Sequence, residues 1–199
     1  MAKISRRSLI QSSATAAIAV CVPEIWAQKA STKPRVVKQE APPAPFNFMA
    51  EYLKELKTSR AYTLDCAHAM PAEKYGFKPV AEVRTFGQQM FHIAEGMKGI
   101  WQMFVEEKKF DKMPFTEGGT EQVGSKAEVI AKLNDAFDYV EKTAGDLSAE
   151  TPSQQVKLFG RATNKYDVMH LILDHNTHHR GQSIVYLRIN GIKPPDYKA

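Results

Sequence analysis

Asp174-His175-Asn176-Thr177-His178-His179-Arg180-Gly181-Gln182 puts three of the chain's six histidines within five residues. The stretch lies inside residues 164–190, where Val168, Leu171, Ile172, Ile184, Tyr186 and Leu187 recur at near-helical spacing. That pattern predicts a long amphipathic helix, stopped by Gly191 with Pro194-Pro195 beyond it. Residues four apart on a helix lie one turn apart on one face. His175 and His179 therefore continue the apolar stripe and face the core, and His178 falls toward the edge of that face. Buried imidazoles need partners for their ring nitrogens, and protonating them in an apolar site is costly. A divalent cation meets both demands by taking one nitrogen from each ring while a carboxylate or carbonyl orients the other. A hydrogen-bonded core histidine and a solvated polar face are the competing readings of the same spacing.

Working outward, the rest of the chain also reads as helix. Residues 46–70 carry Phe48, Tyr52, Leu53, Leu56, Tyr62 and Leu64 among charged residues, with Asn47 as N-cap and Pro71 as stop. Residues 85–108 carry Phe86, Met90, Ile93, Met97, Ile100 and Phe104 in one stripe. Gly96 and Gly99 weaken that second helix and are expected to let another backbone approach closely. Ser125 with Glu128 forms a capping box that starts a third helix, whose buried face is Val129, Leu133, Ala136, Phe137 and Val140. Residues 151–160 read as irregular, with a short extended piece at 156–159. The expected fold is all-α, a four-helix bundle over residues 46–199.

A third ligand is available on the second helix. His92, between Phe91 and Ile93, lies mid-helix as His175 does. Three imidazoles leave one position on the ion vacant for water or substrate, the arrangement of a catalytic site rather than a structural one. Such a zinc site lowers the pKa of bound water to about 7. Gln89 and Gln182 are the expected hydrogen-bond donors beside it, Asp174 an outer acceptor, and Glu95 a carboxylate on its border. His68 and His170 fall outside the proposed face.

Charge excludes some functions. Of the net +5, two units fall in residues 1–27, where Lys3, Arg6 and Arg7 stand against Glu24. In the remainder lysines alternate with acids, without a basic stripe interleaved with aromatics, so nucleic acid is not an expected partner. Residues 1–27 read as a signal peptide with a positive start and an Ala-rich apolar centre, too short and weakly apolar for a transmembrane helix. Ser5-Arg6-Arg7-Ser8-Leu9-Ile10-Gln11 resembles the bacterial twin-arginine export motif. The expectation is an exported, periplasmic protein, cleaved after Ala27 or lipid-anchored at Cys21, with no stable membrane insertion once the signal is removed. Residues 28–45, with Pro34, Pro42, Pro43 and Pro45, read as a linker. Cys66 would then be the only cysteine of the mature chain, expected buried and inert.

Four segments together resemble the DinB/YfiT-like family. They are Met70-Pro71-Ala72-Glu73-Lys74-Tyr75-Gly76-Phe77-Lys78-Pro79, Phe86-Gly87-Gln88-Gln89-Met90-Phe91-His92-Ile93-Ala94, His175-Asn176-Thr177-His178-His179-Arg180-Gly181-Gln182, and Leu187-Arg188-Ile189-Asn190-Gly191-Ile192-Lys193-Pro194-Pro195. The likeness runs from Phe46 almost to the end of the chain. It implies a four-helix bundle with a three-histidine metal site, the ligands falling on His92, His175 and His179, and a divalent ion such as zinc or nickel. Members of that family include thiol-dependent transferases and isomerases, and an export signal departs from their cytosolic setting. Three functions stay open: a metal-dependent hydrolase or transferase acting on a small molecule, a non-catalytic metal- or ligand-binding protein, and a structural homodimer.

Overall fold

The computed structural model of the protein describes residues 46–115 and 122–198. The expected signal peptide (1–27) and linker (28–45) lie outside the described residues. Four helices dominate: α1 Phe48–Ala69, α2 Phe86–Ile100, α3 Lys126–Gly145 and α4 Lys165–Ile189. Each starts on a capping side chain: Asn47 accepts from the Ala50 N–H, Thr85 from Gln88, Ser125 from Glu128 and Asn164 from Asp167. At Thr85 and Ser125 the reciprocal side-chain bond is also present, completing two capping boxes. Each such cap stabilises its helix by about 1 kcal/mol. α4 ends where Gly191 adopts φ 71°, a left-handed conformation that costs glycine little.

The second helical run does not continue as α-helix to residue 108. From Trp101 to Val105 it widens into a π-helix, and it stops at Glu107, whose φ is 56°. Residues 151–164 hold more than the single extended piece expected. Strands β1 Gln155–Leu158 and β2 Arg161–Asn164 pair antiparallel, Gln155 opposite Asn164 and Leu158 opposite Arg161. Phe159 and Gly160 turn the hairpin with φ of 47° and 85°. Positive φ at both central residues suits the right-handed twist of the flanking strands.

α2 packs against α3 and α4, and α1 against the same two helices. α4 thus has α2 on one side and α1 on the other. Between the helices lie fully buried Leu56, Phe86, Met90, Ile93, Met97, Trp101, Leu133, Phe137, Met169 and Ile172. Burying a side chain of this kind contributes about 1.5–3 kcal/mol, so packing rather than helix propensity holds the bundle. Cys66 is buried in this core, and burial pushes its thiol up to about 12, so it stays protonated and unreactive. Among the described residues no helix is long and apolar enough to cross a membrane.

Candidate metal centre

α2 and α4 bring His92, His175 and His179 together. Ring centroids are 5.0 Å apart for His92 and His175, 4.6 Å for His92 and His179, and 4.5 Å for His175 and His179. One nitrogen from each ring lies within 4.8 Å of the others. His92 and His179 are buried, and His175 is half-buried, so the cluster approaches solvent along His175. One chain supplies all three rings.

Their closeness depends on a glycine. A Cβ built on Gly96 would stand 2.5 Å from His175 Cε1 and 2.9 Å from its Nε2. Such separations are well inside van der Waals contact, so Gly96 admits a ring rather than a backbone. Its position on α2, one turn after His92, makes room for the opposing imidazole. Gly99 does a similar service for the loop, where a Cβ would meet Phe115 and Pro114.

The nitrogens fit a metal ion. His92 Nε2 and His175 Nε2 are 3.2 Å apart. Two imidazoles on a tetrahedral zinc, with bonds near 2.0–2.1 Å, hold their nitrogens roughly 3.3–3.4 Å apart. Burial lowers the His175 pKa to about 4, with the neighbouring His178 and Arg84 adding to the effect. It lowers that of His179 to about 3, helped by the charges of His175 and His92. Both rings are therefore neutral near pH 7, the form that offers a lone pair to a cation.

A hydrogen-bond relay sets which nitrogen of His179 is free. His179 Nδ1 lies 2.8 Å from Gln89 Oε1, Gln89 Nε2 donates to Gln182 Oε1 at 2.6 Å, and Gln182 Nε2 lies 3.0 Å from His178 Nε2. An amide oxygen only accepts, so His179 Nδ1 carries the proton and its Nε2 keeps a lone pair. Turning the Gln89 amide over would set two acceptors against each other at Gln182, so the links hold one another in sense. Gln89 thus accepts from His179 at its oxygen and donates to Gln182 through its amide nitrogen.

Glu95 lines a groove between α2 and α3 with Phe91, Lys98 and Asp135 and is not a member of the histidine group. Asp174 is exposed, and no hydrogen bond among the described residues joins it to His175 or His179. His178 is exposed and ends the relay. His68 is exposed, and His170 is exposed beside the Tyr166 ring at 4.9 Å. The sequence reading missed Gly96 as the residue that admits His175. A glycine one turn from a histidine inside an apolar stripe was the available signal.

The model of the DinB family matches residues 44–199. No match appears among functionally curated proteins. Among solved structures, a DinB-like protein from Bacillus cereus is 20% identical with a TM-score of 0.61, covering 74% of this chain and 96% of that one. A DinB-like protein from Bacillus subtilis is 17% identical with a TM-score of 0.60, covering 74% of this chain and 98% of that one. At these identities the likeness concerns the fold alone.

Proposed function

Since the chain belongs to the DinB family, we propose that it is an exported protein that binds one divalent ion, zinc or nickel, through His92, His175 and His179. The ion's fourth position is open to a small molecule. The observation that carries this reading is the convergence of three imidazole nitrogens with no fourth histidine, cysteine or carboxylate in the group among the described residues. A bound ion of this class supplies Lewis acidity at one open position. The chain's own residues do the rest. Gly96 admits the His175 ring, burial keeps His175 and His179 unprotonated, and the Gln89–Gln182–His178 relay fixes the His179 tautomer. This arrangement suits hydrolysis or thiol-type group transfer on a small substrate reaching the centre along half-buried His175.

One observation favours a second reading, a metal- or ligand-binding protein without turnover. Asp174 is exposed and lies outside the histidine group, so it does not stand there as a general base. Elemental analysis of the purified chain tests the common ground: one equivalent of metal is expected, lost in His175→Ala. Stoichiometric metal retained by that variant would sink the ligand set. Cobalt-loaded protein tests the open position. An absorption spectrum that shifts on adding a small thiol supports an open position, and an unresponsive spectrum supports a closed one.

The export proposal rests on Ser5-Arg6-Arg7 and the Ala-rich stretch after it. Replacing both arginines by lysine is expected to hold the chain in the cytoplasm, read by cell fractionation. Normal export of that variant would exclude the twin-arginine route.

A further inference from the structure

α4 buries a second polar group on its other side. Arg180 follows His179 directly and so projects about 100° further round the helix, toward α1. Only 8% of it is exposed. Its Nη1 donates to Ser59 Oγ at 3.1 Å and Thr63 Oγ1 at 3.3 Å, and its Nη2 donates to Thr177 Oγ1 at 3.1 Å. The guanidinium carbon lies 4.8 Å from the centre of the Tyr62 ring. A guanidinium carries more N–H groups than these three bonds use. Every acceptor is a neutral hydroxyl, so the charge meets no anion.

Arg60, on α1 where it faces α3, shows the ordinary solution. Its Nη1 lies 2.6 Å from Asp138 and 3.4 Å from Glu141, with Asn134 accepting from Nη2 at 2.9 Å. Arg60 is partly exposed and has two carboxylates, whereas Arg180 is buried and has none among the described residues. Burial holds the Arg180 guanidinium below its ordinary range. It nevertheless stays charged, because a guanidinium does not deprotonate in proteins. An uncompensated buried charge is expensive, so this position asks for an anion.

There is room for one. Arg180 lines a cavity of about 380 Å³ with Ser59, Tyr62, Leu173, Thr177 and Tyr197. Small-molecule sites commonly measure about 300–1,000 Å³. The other charges on its wall are largely spoken for: Lys54 is 3.6 Å from Glu51, and Lys198 is 3.0 Å from Asp65. Glu55 stands one turn from Ser59 on α1, exposed, and makes no ion pair with Arg180 among the described residues. The acidic Glu51 and Glu55 on the wall disfavour a multiply charged ligand such as a phosphate dianion. Leu173 and the two tyrosines favour an apolar body behind a single negative head.

We infer that this cavity between α1 and α4 is an anion site, separate from the histidine centre, that takes the carboxylate of a small organic acid on Arg180 beside the hydroxyls of Ser59 and Thr177. Guanidinium and carboxylate match as planar forks, which gives the pair direction as well as charge. The inference stands whether or not a metal binds on the α2 side.

The test uses the full chain with benzoate as probe and inorganic phosphate as comparator. At ~10 mM benzoate, a site of roughly millimolar affinity raises the melting temperature by a few degrees, saturably, by mass action on the folded state. The same gain is expected in His175→Ala, because that substitution lies on the α2 side of α4. The gain should vanish in Arg180→Met. Thr58→Glu covers the case where Arg180→Met fails to fold. Thr58 lines the same cavity from a half-buried helix position, so the introduced carboxylate competes for Arg180 without removing it. Benzoate should then give no gain, and the variant alone should melt higher than the parent. No benzoate effect in the parent chain overturns the proposal. So does an effect that survives Thr58→Glu but disappears in His175→Ala, which would place the benzoate at the histidines. A larger gain with phosphate than with benzoate overturns the carboxylate assignment.

Discussion

On the side of α4 that faces α2, three imidazoles cluster with two of them buried; on the side that faces α1, a guanidinium is buried. Both sides remove polar nitrogen from water, and the chemistry of the two groups dictates different outcomes. An imidazole can shed its proton, so burial leaves His175 and His179 neutral, with lone pairs to offer. A guanidinium cannot, so burial leaves Arg180 a cation held only by hydroxyls and the Tyr62 face. One helix thus presents a site for a cation and a site for an anion on successive residues, His179 and Arg180.

The comparison breaks most cleanly at His92. Substituting it by Ala removes one nitrogen from the α2 side and nothing from the α1 side. Metal affinity should fall by more than ~100-fold, beyond the loss typical of an outer-shell partner, while the benzoate effect persists. Competition against a chromogenic chelator reads the first and thermal melting the second. Loss of both together would mean that the two sides are one site.

Gly96→Ala comes next. The added methyl meets the His175 ring at 2.5 Å. Displacing the ring costs about 1–3 kcal/mol, or about 5–150-fold in metal affinity. Alanine also favours helix over glycine by roughly 1 kcal/mol, so the metal-free variant should keep its helicity by circular dichroism. Undiminished metal binding would show that the His175 ring sits elsewhere when the ion is bound.

Gln89→Leu sharpens the comparison without touching a ring. With no acceptor at His179 Nδ1, the imidazole loses its tautomer lock, and metal affinity should drop by about 10-fold. NMR of ring-labelled histidine should show His179 populating both tautomers in the metal-free variant and one in the parent. A single unchanged tautomer would remove the relay from the account.

The smallest effect is on stability against pH in metal-free protein. His175 and His179 have folded pKa values of about 4 and 3, against an ordinary 6.5. Below 6.5 the unfolded chain takes up protons that the folded chain refuses. Their contribution is therefore fully present above that pH and is lost progressively as pH falls toward about 4 and 3. Urea midpoints at about pH 7.5 and about pH 5.5 should fall less in His179→Ala than in the parent chain, because the variant lacks one of the titrating rings. Arg180→Thr should leave the difference unchanged. An equal fall in parent and His179→Ala would show that the ring is already protonated or exposed.

Much of this was legible in one dimension. Asn47, Ser125 with Glu128, and Gly191 sit at helix ends that the structure reproduces, because a cap is satisfied within three or four residues. The pairing of His175 with His179 is equally local, being one helical turn. The hairpin at residues 155–164 was read only as one extended piece, since Phe159-Gly160 lacks the Asn-Gly or Asp-Gly signature of such turns.

The sequence by itself determined the four helices: where each begins, and which faces of them are apolar, because hydrogen bonding and periodicity act over a few residues. Only the tertiary structure decided that His92 meets the α4 pair, that Gly96 makes space for a ring, and that Arg180 is buried against α1 with no carboxylate. Those facts depend on how far one helix slides and turns against another. That register is set by the packing of the whole core, and no single segment carries it.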